Sequence, residues 1–134
     1  MALPETRSLT RVALWLALAY AAALAGPYFY AAFLLGESDL LGGVLLVVTW
    51  TAAPVYAAAA FVGASPGRTG ARLFLALELA LIASFAWQFA ASLHSSTGGF
   101  IFIGWPMVQW AAIILVFLIA LAFGWRMRPD FLKD

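Results

Sequence analysis

Along the chain, four long apolar runs alternate with short polar stretches. The runs cover about 10–35, 40–63, 71–93 and 100–125, each near or above the roughly 20 residues that a helix needs to cross a hydrocarbon core. Unpaired backbone groups exclude isolated strands in lipid, and the alternating ten-residue pattern of a barrel does not occur in the sequence, so four helices are predicted. The connections at 36–39, 64–70 and 94–99 have room only to return the chain. They predict antiparallel neighbours in an up-down-up-down bundle, an all-α integral membrane protein forming a single four-helix transmembrane domain over 1–134.

Composition and charge supply the solvent and the orientation. Of 134 residues, 66% are hydrophobic and 10% charged, too little polar surface for a soluble domain, so a lipid bilayer is the expected surrounding. All seven basic residues fall on one side of the four-crossing plot: Arg7 and Arg11, Arg68 and Arg72, and Arg126, Arg128 and Lys133. Glu37, Asp39 and His94 fall on the other. The positive-inside rule then puts both termini and the middle connection in the cytoplasm, and the short loops with this bias suit a bacterial plasma (inner) membrane. The first run imitates a secretory signal around Ala21 to Ala25, but its apolar character continues to Leu35, which predicts a retained first helix. A net charge of +1 without a dense basic cluster gives nucleic-acid binding no support. The absence of cysteine removes disulfides and thiolate metal sites.

Small residues mark the expected seams, because close backbone approach drives helix association when lipid tails are as apolar as leucine. In the third run Ala76, Ala80, Ala83, Trp87 and Ala90 fall on one stripe; in the second, Thr49, Ala53, Tyr56, Ala60 and Gly63; in the first, Ala17, Ala21 and Ala25. Pro27, Pro54 and Pro106 each remove a backbone donor and are expected to bend or loosen their helices. Trp15, Trp105 and Trp125 fit interfacial belts, whereas Trp50, Trp87 and Trp110 lie deeper and are expected to pack in the bundle or against a partner.

Glu78 carries the most chemical information. It lies six residues beyond Arg72, roughly 9 Å inward at the helical rise, where an ionised carboxylate costs about 2.5 kcal/mol or more. Phe74, Leu81, Ile82, Phe85 and Phe89 share its face, opposite the alanine stripe. Depth matching offers Tyr20 and Tyr56 as hydrogen-bonding partners. The group then reads as a proton or cation site or a partner contact, or as a structural acid bonded to a phenol. A second polar set lies further along: Ser84, Gln88 and Ser92 at i, i+4 spacing, with Gln109 at similar depth and Thr49 and Thr51 as possible neighbours. Such groups bridge helices at about 0.6 to 2 kcal/mol each.

Two functional classes remain open. One is a non-catalytic helical subunit or scaffold that assembles with other membrane subunits or as a homo-oligomer. The other is a small oligomeric transporter or channel using Glu78. A lone Glu and a distant His give no acid–base pair, catalytic set or metal site, and no cofactor is indicated. A transporter is expected to set Glu78 beside an aqueous cavity, a scaffold to bury it.

Overall fold

The computed structural model describes residues 4–34, 41–92 and 101–128, with side chains at 6–26, 45–91 and 104–128. The described residues form four helices: α1 (Pro4–Leu34), α2 (Leu41–Ala64), α3 (Arg68–Ser92) and α4 (Ile101–Ala122). All four contain spans long and apolar enough to cross a membrane: Thr6–Gly26, Leu45–Ala64, Arg68–Ala91 and Gly104–Ala122. The chain is therefore all-helical in its described parts and has the makings of a membrane helical bundle.

Local chemistry explains where these helices begin and end. α1 starts at Pro4 rather than near residue 10, because proline at the first helical position forgoes a donor that would lack a partner there anyway. α3 starts at Arg68, leaving only residues 65–67 to join it to α2. α4 stops at Ala122 rather than 125. Gly124 adopts φ +92°, its N–H donates to the Leu121 carbonyl at 3.0 Å, and the Trp125 N–H donates to the Ala120 carbonyl at 2.9 Å. Those two bonds are the Schellman pair, which closes a helix through a left-handed glycine. Pro54 and Pro106 lie inside α2 and α4, both buried, and each helix continues past its proline.

α2 is the hub, packing against α1, α3 and α4, while α3 also touches α1 and α4. The core is built by setting large side chains against small ones. α3 contributes Phe74, Leu81 and Phe85; α1 contributes Ala13, Ala17 and Tyr20; α2 contributes Ala52, Val55, Ala58, Ala59 and Val62; Ile113 and Ala120 come from α4. Alternation of this kind fills the space between helices at interior density.

The face that α3 turns inward is the reverse of the expected one. Ala76, Ala80, Ala83, Trp87 and Ala90 are all exposed, Trp87 at 76%, whereas Phe74, Glu78, Leu81 and Phe85 are buried. α1 and α2 already offer alanine surfaces, and a third would leave voids, so the aromatic face fills them. The α2 stripe is also displaced: Thr49 and Ala60 are exposed, Ala53 and Tyr56 half-buried, and only Gly63 is enclosed. The α1 expectation fares better, with Ala17 buried and Ala21 and Ala25 partly so.

The end of α2 is sealed by chain from beyond α4. A helix leaves its last four carbonyls without intrahelical donors, and here all four are met. The Ser65 hydroxyl donates to the Phe61 carbonyl at 2.8 Å and the Ser65 N–H to Val62 at 3.3 Å. Arg128 serves the last two, its Nε donating to Gly63 at 2.8 Å and its N–H to Ala64 at 2.9 Å. The guanidinium also sets positive charge against the negative end of the helix dipole. Between these anchors Trp125 folds back over the α2–α3 junction. Its Nε1 donates to Ser65 Oγ at 3.1 Å, and its ring packs edge-on against Phe61, Phe74 and Phe117.

Candidate functional site

Of the buried polar residues, Glu78 lies on the inward face of α3, whereas Thr6, Thr51, Ser65 and Gln109 lie on or beside the other helices. Glu78, Leu81 and Phe85 follow at i, i+3 and i+7 on one side of that helix, all buried. Glu78 has no exposed surface at all, and among the described residues neither carboxyl oxygen has a hydrogen-bond partner. An unsatisfied buried polar group costs about 1–3 kcal/mol, so the retention of Glu78 in the interior works against stability.

The expected phenol partners do not reach it. Tyr20 is buried on α1, but its ring meets Phe85 edge-on with centroids 5.8 Å apart, two turns beyond Glu78, or about 10 Å along the axis. Its hydroxyl is itself without a hydrogen-bond partner among the described residues. Tyr56 is only half-buried on α2 and makes no bond to the carboxyl group. Depth along the membrane normal fixes a residue's height but not its bearing around the helix, and the bearing decides the contact.

The second polar set forms in part. Gln109 of α4 is enclosed and donates Nε2 to the Leu81 carbonyl at 2.8 Å, with a longer contact to Ser84 Oγ at 3.4 Å. Ser84 donates its hydroxyl to the same Leu81 carbonyl at 2.8 Å and accepts from Trp105 Nε1 at 3.3 Å. Ser84, Gln109 and Trp105 thus tie α3 to α4. Gln88 is half-buried and takes no part in this set among the described residues, and Thr49 is exposed on α2. Thr51, two residues on from Thr49, is the enclosed threonine instead. Sequence reasoning left Trp105 at the interface; its signal was the four-residue spacing to Gln109, which sets both on one side of α4 facing Ser84. Trp110 is half-buried against the core, while Trp15 and Trp50 are exposed. His94, Ser92, Glu37, Asp39 and Lys133, and the surroundings of Pro27, lie outside the described residues and side chains.

No family model, curated protein or solved structure matches the chain. The reading of function therefore rests on the residues themselves.

Proposed function

We propose that the protein is a non-catalytic helical subunit or scaffold that assembles with other membrane chains or with copies of itself. In this reading the four helices cross a bacterial plasma membrane up-down-up-down as one domain, with both termini cytoplasmic. The order of contacts supports the topology: Trp105 and Gln109 of α4 meet Ser84 and Leu81 of α3, while Phe117 and Trp125 lie near Phe61 and Phe74. The clustering of Arg68, Arg72, Arg126 and Arg128 around one end of this arrangement supports the orientation.

The observation that carries the proposal is the outward face of α3. Five positions at helical spacing, four of them alanine, face away from the bundle, and in lipid such surfaces are where helices approach closely. The bulky faces of α4, with Ile114, Leu115, Leu118 and Ile119 exposed, suit lipid contact instead. Enclosure of Glu78 counts against the transport alternative, since a substrate cation has to reach its site. Native mass spectrometry after mild-detergent extraction tests the proposal: foreign subunits at fixed ratio or a defined homo-oligomer support it, and a lone chain in gentle conditions refutes it.

A further inference from the structure

Four buried side-chain oxygens on three residues, one residue on each of three helices, lack partners among the described residues. They are the Glu78 carboxyl of α3, the Tyr20 hydroxyl of α1 and Gln109 Oε1 of α4, on residues with 0%, 8% and 2% of their surface exposed. Gln109 is tied to Leu81 and Tyr20 to Phe85, so the three groups attach to the eight-residue segment Glu78–Phe85 of α3, about 10 Å of axis. Native interiors satisfy nearly all such atoms, and where protein does not, ordered water or an ion commonly does.

The orientation of Gln109 is fixed by its neighbours. The Leu81 carbonyl accepts from Nε2, and Ser84 Oγ also faces Nε2 as an acceptor, because its own hydrogen is given to Leu81. Turning the amide over would set oxygen against oxygen, so Oε1 is held away from this contact and toward the interior. The face of α1 that carries Tyr20 continues as Ala17 and Ala13, and α2 adds Ala58 and Ala59, all buried.

We propose that Glu78, Tyr20 and Gln109 line an internal hydration site between α1, α3 and α4, occupied by a short row of water molecules. Water supplies both donors and acceptors, so it serves an amide oxygen, a phenol and a carboxyl group at once. A metal cation fits poorly: hard cations take six or more oxygens at 2.0–2.6 Å, whereas these groups are few and spread along about 10 Å of helix axis. The water is enclosed, which separates this site from a transport pathway and leaves the scaffold reading independent of it.

Infrared difference spectroscopy of the full chain in lipid nanodiscs tests the proposal, comparing wild type with Tyr20→Phe and Glu78→Leu in H2-16O and H2-18O. Tyr20→Phe keeps the ring against Phe85, so it retains the fold even where Glu78→Leu does not. The expected result is an internal-water O–H band that shifts in H2-18O and is weakened in Tyr20→Phe and lost in Glu78→Leu. Equal bands in wild type and a correctly folded Tyr20→Phe would overturn the site. So would thermal stabilisation of wild type, but not of Glu78→Gln, by sodium or potassium chloride over choline chloride, because the occupant would then be a cation.

Discussion

Replacing Gly70 by alanine probes the seal at the α2–α3 junction, and its effect should depend on the residue at 125. A Cβ on Gly70 would lie 2.8 Å from Trp125 Cδ1, 3.0 Å from Nε1 and 3.3 Å from Ser65 Oγ. Carbon atoms prefer about 3.5–4.0 Å, so the ring must retreat, yet Phe61, Phe74 and Phe117 stand around it with centroids 6.0, 5.3 and 5.7 Å away. Overpacking of this kind costs about 1–3 kcal/mol, and displacing Nε1 from Ser65 forfeits about 1 kcal/mol more. Against this, alanine is favoured over glycine inside a helix by about 0.5–1 kcal/mol. Gly70→Ala should therefore destabilise the wild-type chain by roughly 1–3 kcal/mol. In a Trp125→Ala background the ring is gone and only the 3.3 Å approach to Ser65 Oγ opposes the helical gain, so the same change should be close to neutral. Trp125→Ala alone should cost about 2–3 kcal/mol, below the range for a fully buried aromatic because the ring is half-exposed. Equilibrium unfolding in mixed micelles, followed by circular dichroism, closes the cycle. Equal costs for Gly70→Ala in both backgrounds would refute the docking of Trp125.

Other consequences can be tested alongside. Arg128→Gln should lose the charged bond to the Gly63 carbonyl and destabilise the chain by about 1–2 kcal/mol, with faster amide exchange confined to the last turn of α2; uniform acceleration along α2 would contradict a local cap. Gln109→Leu removes the tie to Leu81 and Ser84 and should cost about 0.6–2 kcal/mol, shifting Trp105 fluorescence as its Ser84 partner is released; an unchanged spectrum with unchanged stability would show that the tie contributes nothing. Ala83→Leu, on the outward face of α3, should leave the stability of the isolated chain within about 0.5 kcal/mol yet weaken assembly, and a fold-disrupting effect would mean that this face is internal.

Helix number and approximate position were legible because length and hydropathy suffice to read them: 71–93 became Arg68–Ser92 and 40–63 became Leu41–Ala64. Rotation was not. α3 carries an alanine stripe and an aromatic stripe on opposite sides, both apolar, and nothing within its own sequence decides which is buried. The choice comes from α1 and α2, whose alanines accept Phe74, Leu81 and Phe85. Glu78 was identified as the residue of interest, but its partners were sought by depth, which missed that Tyr20 sits two turns away against Phe85. Ser84 and Gln109 were paired correctly, since amide and hydroxyl at matching depth have few other outlets in an apolar interior. The fold-back of Trp125 and Arg128 was hidden because it depends on Gly124, an ordinary glycine in sequence that takes a left-handed turn in space.

The outward α3 face is the part of the account on which function depends, and the chain's lack of cysteine makes it directly measurable. Single-cysteine variants Ala76→Cys, Ala80→Cys, Ala83→Cys and Ala90→Cys, together with Leu115→Cys and Leu118→Cys on α4, would be treated in native membranes with a lipid-soluble maleimide. The account predicts that the four α3 positions are shielded or cross-link to a second chain while the two α4 positions label freely. Free labelling at all six positions, without cross-links, would contradict it.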